Sequence, residues 1–274
     1  QFASSAASDV YKRQILKSEL NSGNTINAIN TYAVPSIAYG FQVIDWTITE
    51  LAEIDRGTRK LLQQYHSLHT QSDVTRLYIP RRDGGRGLTN ICELFKNTII
   101  KFSVYLSNSN EELLTMASHW QQVRRDKSLH QRAAQYCDEL NIDLDTIRLL
   151  SKETRKQKIK DGRISKKVQE LTRKAMHGQH LRLLNAPEID GKRSNAWLRS
   201  STLKRTTESL ICAVQEQAIT TKYIQRRVHK TTDNDRCRLC RDATETIHHI
   251  TSGCTVMAPT KYLQRHDNVC KYIH

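Results

Sequence analysis

Apolar positions in this chain recur with a helical period through most of its length. In INAINTYAVPSIAYGF they fall at Ile26, Ile29, Ala33 and Ile37, three to four residues apart, as one face of an α-helix requires. Pro35 lies inside that pattern, so the helix is expected to kink or end near it. DWTITELAEIDRGTRKLLQQY repeats at Leu51, Ile54, Leu61, Leu62 and Tyr65, and Thr47 with Glu50 supplies a capping box at its start. LTNICELFKNTIIKFSVYL carries a stripe at Ile91, Leu94, Phe95, Thr98, Ile99, Phe102 and Tyr105, with Thr89 as its expected cap. Such a stripe builds core, and Cys92 beside it reads as a packed, inert thiol. SNEELLTMASHWQQV opens on a second capping-box pair, Ser109 and Glu112. Further helices are expected through Leu140, through the following stretch to Leu184, and as a pair from about Thr206 to His229. NAPEIDGKRSN and HKTTDNDR read as loops between them.

One segment breaks the period. In LYIPRRDGGRGL, residues Leu77 to Ile79 read as a strand end, and Pro80 with Gly84, Gly85 and Gly87 forces a turn or short hairpin. Glycine-rich amides can cradle phosphate, and Arg81, Arg82 and Arg86 would assist on a nucleic-acid backbone. The strand–loop–helix context of a nucleotide-binding loop is missing, so a turn that sets up the next helix is the simpler role. With only four prolines and ten glycines in 274 residues, the fold class is mainly α: a helical array carrying this turn and a small C-terminal metal unit. No apolar run approaches the roughly 18 residues of a membrane span.

Charge changes the picture by its placement. The net +15 is unevenly spread: residues 15–151 hold 15 Lys and Arg against 15 Asp and Glu, whereas residues 152–205 hold 16 against 5. A solvated helix face is the ordinary fate of a charge run. A block this one-sided beside a neutral neighbour repels itself unless it meets a polyanion, which makes RNA or DNA the expected partner. The expected contacts there are Lys156, Lys158, Lys160, Arg163, Lys166, Lys167, Arg173 and Lys174. An anionic membrane fits less well, because the block lacks a broad apolar face.

Seven cysteines, an odd number unevenly spaced, argue against a disulfide framework and for an intracellular, reducing compartment. Three of them stand in CRLCRDATETIHHITSGC, as Cys237, Cys240 and Cys254, with His248 and His249 between. A Cys-x2-Cys turn aims two thiolates at one point, as tetrahedral zinc requires; one histidine and a third cysteine then close a structural shell. Spacing leaves His248 or His249 open as that ligand. In a continuous α-helix His249 and Cys254 would point about 140° apart, so the chain must bend between them, with Gly253 as the permissive residue. Arg236, Arg238 and Arg241 flank the thiols, favouring thiolate, and Arg236 and Arg238 are placed to meet phosphate. Cys270 and His266 fall on an expected final helix.

These elements in this order resemble the segment that follows the polymerase palm in non-LTR retrotransposon reverse transcriptases. The carriers are INAINTYAVPSIAYGF with ELAEIDRGTRKLL, then RLYIPRRDGGRGL, then the ending CRLCRDATETIHHITSGCTVMAP. The ending is similar to the zinc knuckle of those polyproteins in which a restriction-like endonuclease follows. The resemblance spans the chain from about residue 15. It implies a thumb over 15–106, a helical linker over 107–235 containing the basic block, and a knuckle with a terminal helix over 236–274. It also implies zinc on Cys237, Cys240, His249 and Cys254, although the family usually carries an acidic residue where His248 stands. The eight-residue gap departs from the four of retroviral nucleocapsid knuckles, so their base-reading mode does not carry over. Implied partners are RNA or DNA and the rest of the parent polyprotein, palm upstream and endonuclease downstream, in a nuclear or cytoplasmic ribonucleoprotein.

The aspartate pair by which such a palm holds magnesium has no counterpart here, and Asp233 with Asp235 in a polar loop is no substitute. Magnesium is therefore expected only in the palm, and the chain is read as an inactive fragment of an RNA-directed DNA polymerase. Residues 1–14 end in DVYKRQ, which resembles one reading frame of a sequencing-library transposase adaptor, and are expected to be a scar outside the fold. Two alternatives stay open: a His-Asn-His nuclease fragment with TIHHI as its base, and a stand-alone zinc-bearing RNA-binding or adaptor protein.

Overall fold

In the computed structural model, which describes residues 2–123 and 128–273, helices carry almost the whole architecture. They are α1 (Phe2–Lys17), α2 (Ser22–Ala28), α3 (Val34–Ala38), α4 (Ile48–Gln64), α5 (Val74–Tyr78), α6 (Ile91–Ser107), α7 (Glu112–Val123), α8 (Leu129–Asp138) and α9 (Leu144–Leu149). There follow α10 (Lys152–Arg173), α11 (Gln179–Leu184), α12 (Gly191–Ser194), α13 (Ala196–Ser200), α14 (Arg205–Gln215), α15 (Lys222–Ile224) and α16 (Leu263–Ile273). Among the described residues no sheet forms, and the one β-bridge pairs Arg236 with Thr244. None of these helices is long and apolar enough to cross a membrane. The expected run of helix through Leu140 crosses residues 124–127, which lie outside the described residues.

The helical pattern resolves as the periodicity implies, with local adjustments. Ile26, Ile29, Ala33 and Ile37 are all buried. Pro35 does not end the helix; the chain widens into a π turn at Ile29–Ala33, where the Val34 N–H reaches back to the Ile29 carbonyl. The wider turn makes room for a ring that would strike the carbonyl four residues earlier. Thr47 and Glu50 form the expected capping box. At α6 the cap is Asn90, one residue after the expected Thr89: its Oδ1 accepts from Glu93 N at 2.9 Å, while Thr89 N donates to the Asn30 side chain. Ser109 and Glu112 form no box, since Ser109 Oγ accepts from Glu111 N and α7 begins only at Glu112. Leu77 lies in the short helix α5, capped by Asp73, where a strand end was expected. Within NAPEIDGKRSN, Asp190 caps the single turn of α12.

Two cores share α6. One gathers Ile37, Phe41 and Trp46 with Phe95, Ile99, Ile100 and Val104 of α6 and with Tyr136, Ile147 and Ile159. The other gathers Leu16, Ile26, Ile29, Leu61, Leu62, Leu77 and Leu88, and Leu94 packs against both. Packing is therefore continuous across residue 106, from the expected thumb into the expected linker. The opening segment, expected to stand outside, forms most of α1 and packs on α3, α4 and the π turn. Ser8 Oγ donates to the Ala33 carbonyl at 2.9 Å, and Lys12 is buried with Asp9 as its ion-pair partner. Burial holds the Lys12 pKa below its ordinary value, against the raising charge of Asp9.

Buried ion pairs tie distant segments together. Ser22, Arg81, Arg86 and Glu208 meet in one group: both oxygens of Glu208 accept from Arg81 at 2.8 Å, and Oε1 also accepts from Arg86 at 3.0 Å and from Ser22 Oγ at 2.6 Å. Arg76, fully buried, donates to the Gly84 and Cys212 carbonyls and pairs with Glu216. Desolvation would raise the Glu208 pKa, but the Arg81 hydrogen bond and the Arg86 charge outweigh it and lower it. Glu208→Gln leaves the buried Arg86 and the half-buried Arg81 guanidinium without a carboxylate, and a loss of about 3–5 kcal/mol of unfolding free energy is expected in denaturant titration. A loss below about 1 kcal/mol would show that the group does not carry that load.

Asp55 is a second buried carboxylate, and its sign is opposite. It accepts from Ile91 N at the start of α6, yet desolvation pushes its pKa up to about 6. The folded chain therefore holds a proton that the unfolded chain releases, and Asp55 lowers stability as pH rises through that window. Asp55→Asn is expected to be more stable than the parent above pH 6. The difference should shrink towards zero as pH falls to about 4. A difference that does not change with pH would contradict the assignment.

Candidate metal centre and basic surface

The knuckle is assembled from three short pieces. Arg236 and Thr244 pair across a tight loop in which Cys237 N donates to the Ala243 carbonyl at 2.8 Å and Arg241 N to the Cys237 carbonyl at 2.9 Å. Arg241 takes a left-handed conformation, φ 58°, to close that loop. Next, Thr246 Oγ1 accepts from His249 N, and His249–Gly253 forms a π turn. Cys254 then leaves in extended backbone, which is the bend that the spacing required.

The four donor atoms of Cys237, Cys240, His249 and Cys254 lie within 4.8 Å of one another. Tetrahedral zinc would hold such atoms about 3.5–3.8 Å apart, so the group needs only a small contraction to close on an ion. Cys240 Sγ and His249 Nε2 are already 3.3 Å apart. His249 is buried in the group, whereas His248 is exposed and outside it. The backbone amides of Ala243 and Asp242 face the Cys240 thiol and hold its pKa down to about 6; burial shifts Cys237 upward. Leu239 N also donates to Cys237 Sγ at 3.4 Å. Amides aimed at sulfur stabilise thiolate, the form a metal takes, and the set can hold a metal ion of zinc's kind.

Two further residues shape the site. Glu245 is buried and accepts from Lys222 N at 2.9 Å, from Arg238 N at 2.8 Å and from the Arg238 guanidinium at 2.7 Å, so it fastens the knuckle to α15. The Tyr262 hydroxyl sits at the far side: it donates to the Ile250 carbonyl at 2.8 Å and accepts from Cys254 N at 3.0 Å. It thereby spans the turn between two ligands. Neither residue has a local signal; only the chain folding back on itself brings them in.

The remaining expected contacts divide into two groups. Arg81 and Arg86 are turned inward onto Glu208, and Arg86 also donates to the Ser67 carbonyl. The turn amides are spent as well: those of Asp83, Gly84, Gly85 and Gly87 all donate to backbone carbonyls. A Cβ on Gly85 would stand 2.1 Å from the Ile79 carbonyl oxygen, so the glycine is there for close packing. Arg82 is exposed and pairs with Asp83. On α10 the buried face runs Ile159, Arg163, Lys167, Leu171, four residues apart. Arg163 donates to Asn97 at 3.1 Å, and Lys167 pairs with Glu93 over the Tyr78 ring. That spacing was visible beforehand, since Ile159 and Leu171 mark a face that the two cations share.

Lys156, Lys158, Lys160, Lys166, Arg173 and Lys174 are exposed. Lys166 donates to the Glu139 carbonyl and Lys174 pairs with Asp73. Arg236 donates to the Asp242 carbonyl, and Arg238 pairs with Glu245 while keeping much of its surface open.

Zinc titration followed by native mass spectrometry is expected to give one ion per chain. Cys254→Ser should abolish tight binding, and His248→Ala should leave it unchanged. Affinity should fall as pH drops, because protons compete with the ion for the thiolates, and the fall should begin well above pH 6, since burial shifts the Cys237 thiol upward. Retention of zinc by Cys254→Ser would contradict this ligand set. Compared with family models and with curated proteins, the chain finds no match in either.

Proposed function

We propose that the chain is a nucleic-acid-binding portion of a non-LTR retrotransposon reverse transcriptase, the part between the palm and the endonuclease. The observation that carries the reading is the set of exposed cations along α10. Lys152, Lys156, Lys158, Lys160 and Arg173 are exposed there and, among the described residues, have no carboxylate partner. In the same helix the cations that fold inward do find partners, Arg163 on Asn97 and Lys167 on Glu93. Charge left exposed and unpaired, beside charge paired in the packed interior, suits a phosphate backbone.

In this reading the knuckle holds structural zinc. Four protein donors fill a tetrahedral shell and leave no position for a reacting water. Its role is to fix the last segment so that its exposed arginines and α10 address one polyanion. Element RNA or target DNA is the partner, during target-primed reverse transcription carried out by the palm. The nuclease alternative would use a histidine of TIHHI as a general base; of the two, His249 belongs to the donor group and His248 is exposed outside it.

Fluorescence anisotropy with labelled RNA and DNA across a salt series tests the proposal. With about six phosphate contacts from α10, log affinity should fall against log salt with a slope of about −4 to −5. Replacing Lys156, Lys158 and Lys160 by glutamine should reduce that slope by about 2–3. A slope near zero for the parent chain would end the nucleic-acid reading.

A further inference from the structure

Where α6 ends and α10 begins, the surface opens into a groove of about 690 Å³. Its walls combine two chemistries. Lys101, Lys152 and Lys156 bring three ammonium groups to it, and Phe102 and Tyr105 supply aromatic surface. Arg155 underlies the wall, its guanidinium held by the Ile147 and Leu150 carbonyls. Glu153 is the one carboxylate of the lining, and it is exposed.

Helical periodicity assigns Phe102 and Tyr105 to the apolar stripe of α6. The buried face instead follows Phe95, Ile99, Ile100 and Val104, and Tyr105 is left 56% exposed. Its ring therefore contributes little to either core. The three lysines repel one another: partial desolvation, then the charges of Lys156 and Lys152, lower the Lys101 pKa. Such an arrangement is relieved by an anion placed between them.

We infer that this groove takes a single-stranded nucleic-acid segment, its phosphates on Lys101, Lys152 and Lys156 and an unstacked base on Tyr105. The assignment rests on the nucleic-acid reading above and narrows it. A duplex keeps its bases stacked and offers no free π face to Tyr105, so the aromatic wall favours a single strand. The lysines alone would serve either form.

The test uses the full chain loaded with zinc. A fluorescein-labelled single-stranded oligonucleotide of mixed sequence and its duplex are titrated against the parent, Tyr105→Ala, Tyr105→Phe and the double variant Lys101→Gln/Lys156→Gln. Thermal unfolding of each variant checks that the fold is kept; the replaced side chains are exposed, and Tyr105→Phe preserves the ring. Tyr105→Ala should weaken single-strand binding about 5- to 150-fold and leave duplex binding unchanged, while Tyr105→Phe binds as the parent does. The lysine double variant should lower the single-strand salt slope by about 1.4. If Tyr105→Ala binds the single strand as the parent does, or loses both forms equally, the groove assignment is overturned and the broader reading stands. If the parent binds neither form, both fall together.

Discussion

A single buried carboxylate, Glu208, organises the packing of segments far apart in the chain. It receives Arg81 and Arg86 from the glycine-rich turn and Ser22 from the start of α2, while lying itself on α14. A carboxylate taken out of water is tolerated only with its charge matched and its lone pairs filled, and this one has both. The consequence reaches the surface. Because these two arginines are fixed internally, the turn does not present them to a polyanion, and the cationic surface is left to α10 and its neighbours.

The knuckle follows the same logic on a smaller scale. A segment of this size, with one β-bridge and few buried apolar residues, cannot hold itself by burial alone. Metal ligation by Cys237, Cys240, His249 and Cys254 would supply the missing cross-links. Glu245 joins that unit to α15, and Tyr262 locks the turn from His249 to Cys254. A buried acid thus serves each unit, Glu208 clamping arginines within the helical body and Glu245 holding two amides and a guanidinium where the knuckle meets α15.

What could be read in the sequence was what is local. The stripes at Ile26 to Ile37 and at Leu51 to Leu62 depend on short-range helical spacing; the first is buried throughout, and in the second Leu51, Leu61 and Leu62 are buried and Ile54 half-buried. The capping box at Thr47 and the four metal donors are likewise short-range patterns. The fate of Arg81 and Arg86 depends on a carboxylate more than a hundred residues away, which no local pattern announces. Asn90 displaced Thr89 as a cap because Thr89 N is engaged by Asn30, again a distant partner. The adaptor-like reading of residues 1–14 rests on a local string, which carries no information about the Ser8 hydrogen bond to Ala33 or the burial of Lys12.

The central claim is that the exposed cations of α10 meet nucleic acid while the buried ones hold the fold. Lysine-modification footprinting by mass spectrometry, with and without a saturating oligonucleotide, tests that division directly. The account predicts that Lys156, Lys158 and Lys160 react freely in the isolated chain and become protected in the complex. Lys12 and Lys167, buried in either case, should react slowly throughout. Equal reactivity of the α10 lysines with and without nucleic acid would contradict it.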